Sequence, residues 1–281
     1  MKFAAAYGGW LRKNHTKEFT KVVVGRDARI SGEMIQQVVM NTLVGLGIEV
    51  IDLGLSTTPT VEIAVPMEKA QGGIILTASH NPKQWNALKL LNEKGEFLSG
   101  AEGAEILEIA EKADFDFAEV DSLGNIKPAI HYIDTHVEEV VMLDLVDAKK
   151  IAEANFTVAV DGVNSTGGIA IPKLLKRLGV NVIELYCEPT GHFPHNPEPL
   201  KEHLTEISNL VKEKKADLGI VVDPDVDRLA FVSEDGEMFG EEYTLVACAD
   251  YVLGKTPGNT VSNLSSSRAL RDVTQKTWWQ L

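Results

Sequence analysis

Gly73-Ile74-Ile75-Leu76-Thr77-Ala78-Ser79-His80-Asn81-Pro82 decides how this chain folds and where its chemistry sits. The apolar run Gly73–Leu76 predicts a buried strand. The small polar residues after it, closed by Asn81-Pro82, predict a turn. That order delivers Ser79 and His80 to the carboxyl edge of a sheet, where open α/β sheets bind ligands. Ser, Asn and Pro are also ordinary turn residues, so the stretch by itself leaves a plain strand-to-loop turn open.

A second strand end narrows the choice. Leu218-Gly219-Ile220-Val221-Val222 runs into Asp223-Pro224-Asp225-Val226-Asp227-Arg228. Three carboxylates at alternate positions repel one another unless a cation joins them. Oxygen ligands so spaced suit a hard divalent ion. Arg228 adds a planar fork for a phosphate or carboxylate.

Around these two points the pattern is α/β. Val22–Val24, Glu49–Gly54 and Gly73–Leu76 read as strands. Helices are predicted from Met1 to Arg12, from Ser31 to Leu46 with Gly47 as stop, and from Thr58 onward with Pro59 in the first turn. A hairpin over Asn86–Leu91 and Gly95–Leu98, and helices over Ala101–Lys112 and Ile133–Leu143, complete a first unit. The rhythm restarts with a strand at Phe156–Gly162, a helix at Ala170–Leu178, a strand at Asn181–Leu185 and a helix at Leu204–Lys214. A helix at Glu241–Leu253, a strand at Thr260–Leu264 and a helix at Arg268–Gln275, capped within Ser265–Ser267, open a third unit. Ser165-Thr166-Gly167-Gly168 reads as a Gly-rich turn in preference to a phosphate cradle.

Thr77–Pro82 resembles the phosphoserine loop of the α-D-phosphohexomutases, and Asp223–Arg228 resembles their Mg²⁺ loop, usually Asp-Gly-Asp-x-Asp-Arg. The likeness runs along nearly the whole chain. It implies successive mixed-sheet α/β domains: domain I over 1–131, domain II over 132–239, and the start of domain III over 240–281. It implies phosphoryl transfer between C1 and C6 of a hexose or hexosamine phosphate, through a phosphoserine and a bisphosphate. Ser79 would be the relay, and Ser79, Asp223, Asp225 and Asp227 would ligate Mg²⁺. Lys89, ten residues after Ser79, falls where the family has its general acid/base, with a pKa lowered by the cation and nearby Arg. Arg26 matches a family active-site Arg, its alternative being an ion pair with Asp27. His80 would orient phosphate or pass a proton, or serve only as a structural hydrogen-bonder. Arg228 would contact the phosphoserine or the metal ligands. Pro224 and Val226 depart from the small residues usual between the metal-loop Asp, adding a fixed φ and bulk. A Mg²⁺-dependent phosphatase with an Asp nucleophile, and a non-catalytic metal-binding fragment, stay open as alternatives. So does the choice among glucose, mannose and glucosamine phosphates.

The resemblance also implies that the family's first strand, its sugar-selecting loop and its distal-phosphate loop are missing here, so the chain is expected to be inactive alone. The tail Lys276-Thr277-Trp278-Trp279-Gln280-Leu281 reads as a one-base frame slip, because the shifted frame can encode Lys-His-Gly-Gly, a natural helix stop.

Composition sets the outer bounds. The 281 residues suggest about two domains, and 44% apolar with 24% charged residues suits a globular protein. A net charge of −14 opposes nucleic-acid binding. No apolar run nears the ~18 residues of a membrane span, and Met1–Tyr7 is a poor signal peptide. Cys187 and Cys248 lack metal-ligand spacing and read as reduced core thiols, so a cytoplasmic setting is expected.

Overall fold

The structure is a computed structural model that describes residues 1–15, 20–113, 115–264 and 266–278. Its first half holds β1 (Lys21–Arg26), β2 (Glu49–Leu55), β3 (Gly72–Leu76), β4 (Leu88–Leu91) and β5 (Ile126–Pro128). These form one sheet in the order β4-β3-β1-β2-β5, parallel except for the β3–β4 pair. The helices are α1 (Lys2–Asn14), α2 (Gly32–Gly45), α3 (Thr58–Met67), α4 (Gly100–Lys112) and α5 (Tyr132–Val141).

The apolar strand runs follow from coverage on both faces. Alternation along β1 sends Val22 and Val24 to one side, where they pack with Ala4, Tyr7, Met40, Leu43 and Ile106 of α1, α2 and α4. Val23 points the other way, to Val61, Ala64 and Val65 of α3 and Tyr132 of α5. The Ala run of α1 is its packed face: Ala4, Ala5 and Ala6 are fully buried. Sequence signals for the ends hold as well. Thr57 caps α3 by accepting the Thr60 N–H, Ser99 and Glu102 form a capping box on α4, and Gly47 has φ +77°.

The second half repeats the plan with β6 (Thr157–Asp161), β7 (Asn181–Leu185), β8 (Leu218–Val222) and β9 (Leu229–Ser233), in the order β7-β6-β8-β9 with β9 antiparallel. The helix α6 (Ala148–Glu153) precedes this sheet; α7 (Gly167–Arg177) packs on one face and α8 (Thr205–Lys214) on the other. α9 (Glu241–Lys255) and α10 (Ala269–Trp278) then pack on each other. The sequence reading did not anticipate β5, β9 or α6.

Two expectations need correction, and the last helix keeps its expected cap but runs past its expected end. Thr260–Leu264 forms no strand: Val261 and Leu264 face solvent, and no described strand lies beside them to pair. Cys248 is exposed on an uncovered face of α9, and only Cys187 is partly buried, its thiol pushed up to about 12 by burial and then by Glu184. The last helix is capped by Ser267, whose Oγ accepts the Ala269 N–H at 3.2 Å, and it continues to Trp278. Ser265, and residues 279–281 on which the frame-slip reading turns, lie outside the described residues. Among the described residues no helix is long and apolar enough to cross a membrane.

One contact ties α1 to the sheet. The Tyr7 hydroxyl, fully buried, reaches the carbonyl oxygens of Leu91 at 2.6 Å and Gly73 at 3.2 Å. Gly72 makes room for it, since a Cβ there would lie 2.0 Å from Tyr7 Oη. Tyr7→Phe should therefore cost about 1–2 kcal/mol by leaving buried carbonyls short of a donor. Urea denaturation measures it, and an unchanged midpoint would contradict this packing.

Candidate active site

The carboxyl ends of β1, β3, β6 and β8 converge where the two halves meet. Residues after each strand touch across the junction. The Ala28 N–H donates to Ser165 Oγ at 3.2 Å, and the Thr58 N–H to the Asp225 carbonyl at 2.8 Å. Ser165 and Thr166 hydroxyls both donate to the Pro224 carbonyl, at 2.7 and 2.8 Å. Ser165-Thr166-Gly167-Gly168 is thus a buttress for the Asp-rich loop. Its glycines allow close packing: a Cβ on Gly167 would sit 2.3 Å from Val222.

Ser79 stands at the centre with φ +49°, a left-handed conformation uncommon for a residue with a side chain. Its N–H donates to Thr77 Oγ1 at 2.9 Å, and that hydroxyl donates to Asp27 Oδ2 at 2.8 Å. Asp27 also accepts from the Arg29 N–H and Nε, each at 2.9 Å. The Arg29 guanidinium then donates to four carbonyls of the loop: Ser79, Asn81, Pro82 and Trp85. Asp27 and Arg29 are both fully buried. Burial pushes the Asp27 carboxyl up, and Arg29 and the hydrogen bonds oppose it.

Arg29 was not singled out by the sequence. The expected alternative for Arg26, an ion pair with Asp27, is taken by Arg29 instead. Arg26 donates from Nε to Gln36 at 2.9 Å and from Nη1 to the Asp27 backbone carbonyl at 3.1 Å. Only the pair of Arg in Arg26-Asp27-Ala28-Arg29 hinted at a choice. Nothing local says which one turns inward.

The three carboxylates gather as the spacing predicts. One oxygen from each of Asp223, Asp225 and Asp227 lies within 4.8 Å of the others. Asp223 Oδ1 accepts the Asp227 and Arg228 N–H groups at 3.1 and 3.2 Å, while Oδ2 accepts from Ser79 Oγ at 2.8 Å. Thr58 Oγ1 donates to Asp225 Oδ2. Val226, at φ +66°, makes the tight path between Asp225 and Asp227, a strained place for a β-branched residue. Burial, then Asp225 and Asp227, push the Asp223 carboxyl up to about 8.

This donor set fits a hard divalent cation. Asp223 and Asp225 are wholly buried, and Asp225 Oδ1 has no hydrogen-bond partner. Buried like charges at this range need positive charge among them.

Lys89 supplies part of that charge. It sits on β4 opposite Ile75, and its Nζ lies 2.6 Å from both Asp225 Oδ2 and Asp227 Oδ2. The lowering expected of its pKa depends on a cation within the Asp cluster, and the protein groups alone act the other way. Burial lowers it, but Asp225 and Asp227 together outweigh burial, and the net shift is upward. His80 and Arg228 reach the same junction and share Glu198, a residue that sequence reasoning missed. His80 Nε2 is 3.9 Å from Glu198 Oε1 and Arg228 Nη1 is 3.5 Å from it.

The fold and this geometry agree with comparisons to known proteins. The family model described as phosphoglucomutase/phosphomannomutase, alpha/beta/alpha domain I matches residues 1–117, and the domain II model matches 131–236. The chain belongs to the phosphoglucomutase/phosphomannomutase family, the phosphohexomutases. It is 34% identical over 278 residues to a phosphoglucomutase/phosphomannomutase of Thermococcus kodakarensis, covering 98% of this chain and 60% of that protein. It is 34% identical over 256 residues to a Pyrococcus abyssi protein named "Probable phosphoglucosamine mutase", covering 90% and 54%. The crystal structure of a phosphoglucomutase/phosphomannomutase family protein from Burkholderia thailandensis superposes with a TM-score of 0.79 at 25% identity, over 97% of this chain and 60% of that one. The chain therefore spans a little over half the length of the curated relatives it matches.

Arg29 gives this site its test. Arg29→Met keeps the bulk but strands the Asp27 carboxylate, and breaking a buried pair in this way costs about 3–5 kcal/mol. Arg26→Met, which leaves Asp27 paired, should cost about 1 kcal/mol. Equal losses in urea denaturation would contradict the assignment.

Proposed function

We propose that the chain carries the phosphoryl-transfer centre of a phosphohexomutase, acting on a hexose or hexosamine phosphate. Ser79 would carry the phosphoryl group, pass it to one of the C1 and C6 positions, and recover the group from the other position through a bisphosphate. The observation that carries this reading is the Ser79 hydroxyl, 2.8 Å from Asp223 in a cluster of three carboxylates. An Asp-nucleophile phosphatase would leave the strained, four-carbonyl clamp on the Ser79 loop without a purpose.

Each residue has a chemical task in this reading. Asp223, Asp225 and Asp227, with an oxygen at Ser79, would hold Mg²⁺. Bound there, the ion would offset charge on the transferring phosphoryl group and reduce the hold of the carboxylates on Lys89. Lys89, an ammonium beside Asp225 and Asp227, is suited to protonate Ser79 Oγ as it leaves, and in its neutral form to take the sugar hydroxyl proton. Arg228 and His80 offer donors to the phosphoryl oxygens, and Arg26 lines the same strand edge. Residues 1–131 and 132–239 would be the two domains supplying relay and metal loop, with 240–281 opening a third. The proposal takes in glucose, mannose and glucosamine phosphates alike. The names of the relatives divide in the same way.

Incubation with glucose 1,6-bisphosphate and Mg²⁺ should place one phosphoryl group on Ser79, mapped by peptide mass spectrometry. Ser79→Ala should lower labelling at least about a thousandfold, as loss of a nucleophile does. The Asp223, Asp225 and Asp227 triple Asn variant should lose Mg²⁺ binding in calorimetry, and Asp235→Asn should keep it. Label on another residue, with Ser79 clean, would overturn the relay assignment.

A further inference from the structure

Glu198 has no place in the transfer chemistry described, yet it is the one carboxylate paired with both His80 and Arg228 among the described residues. It lies on the segment Gly191–Pro199, which comes from the second half and presses on the first. A Cβ on Gly191, at φ +72°, would lie 2.0 Å from the Ala28 carbonyl oxygen. The Phe193 ring sits under the Arg29 guanidinium at 5.2 Å. His195 bonds Asp161 at 2.9 Å, and the Glu198 N–H donates to Asn196 Oδ1 at 3.1 Å. Pro199 biases Glu198 toward extended backbone, and the φ of Pro197 just before it is fixed. The segment is therefore anchored to both halves and carries Glu198 to their junction.

Its two partners are held loosely. At 3.5 and 3.9 Å neither contact is a well-formed hydrogen bond. His80 Nδ1 is buried and has no partner at all. Meanwhile the Arg228 N–H and the Ser79 hydroxyl meet on the same Asp223 carboxylate, so Arg228 stands beside the atom that would carry phosphate. A dianion on Ser79 and the Glu198 carboxylate then compete for the Arg228 guanidinium and the His80 ring.

We propose that Glu198 is a positioning residue that parks His80 and Arg228 while Ser79 carries no phosphoryl group, and yields them when the group arrives. The proposal rests on Ser79 being the phosphoryl carrier. Glu198 acts as a fixed anionic placeholder. It keeps the Arg228 guanidinium and the His80 ring beside a buried acidic cluster in the empty state, and it weakens the phosphorylated state by the same competition, so that the phosphoryl group stays transferable.

The isosteric Glu198→Gln variant tests this in the full chain. With limiting glucose 1,6-bisphosphate and Mg²⁺, intact mass spectrometry reads the phosphorylated fraction at equilibrium. E198Q should raise the ratio of phosphorylated to free chain about fivefold, because a neutral amide competes less for Arg228 and His80. An unchanged or lowered ratio overturns the proposal, since a carboxylate needed only to brace the loop would not favour the empty state. In the absence of donor, ¹⁵N-resolved NMR of the Arg228 guanidinium, assigned with Arg228→Lys, and of the His80 imidazole gives a second reading. Both sets of signals should move in E198Q, and unmoved signals overturn the proposal. If wild type takes up no phosphoryl group at Ser79, the mutase reading fails, and the NMR result alone then decides whether Glu198 holds the two side chains.

Discussion

The buried pair of Asp27 and Arg29 sets the rest of the site. A guanidinium with no access to water must place all its donors, and here they go to Asp27 and to four carbonyls between Ser79 and Trp85. Backbone carbonyls turned toward one point give that loop its shape. With Thr77 braced on the same Asp27, the chain at Ser79 is held at a positive φ that it would otherwise avoid. A Lys could carry the charge but not the fork. Removing either partner leaves a buried charge alone, so loop geometry and fold stability are joined in one contact.

The second constraint is like charge. Asp223 and Asp225 are buried, Asp227 lies beside them, and Lys89 offers one positive charge to the three. Backbone N–H groups of Asp227 and Arg228 and the hydroxyls of Ser79 and Thr58 share the rest. Such a cluster is costly in a fold unless something uses it. The Ser165 and Thr166 hydroxyls hold the loop from below through the Pro224 carbonyl, so the Pro that departs from the usual family pattern still presents a well-used acceptor.

How much of this could be read from the sequence follows from range. Ser79, the three Asp and Lys89 stand in contiguous motifs at strand ends, and the structure does bring them together. The central strands were legible because both faces are covered and their residues are uniformly apolar. β5 is three residues long and ends in Pro, so it shows no run of its own; β9 does carry one, Leu229-Ala230-Phe231-Val232, directly behind the Asp loop that draws attention first. Thr260–Leu264 has strand composition, but a strand also needs a neighbour. Arg29 and Glu198 were not legible. Arg29 acts on carbonyls 50 to 56 positions away, and carbonyls carry no sequence signature. Glu198 meets Arg228 across 30 positions, from a loop with no periodicity. The ammonium of Lys89 meets Asp225 and Asp227 across 136 and 138 positions, so its carboxylate neighbours are set by the fold as well.

The central claim is that the Ser79 oxygen and the carboxylate trio form a single site, assembled by the buried pair. The most direct measurement is ³¹P NMR of the Ser79-phosphorylated chain titrated with Mn²⁺, a paramagnetic ion that takes the same oxygen ligands as Mg²⁺. The account predicts that well under one equivalent broadens the phosphoserine line severely, and that excess Mg²⁺ restores it. A line that stays sharp at a full equivalent of bound Mn²⁺ would contradict it.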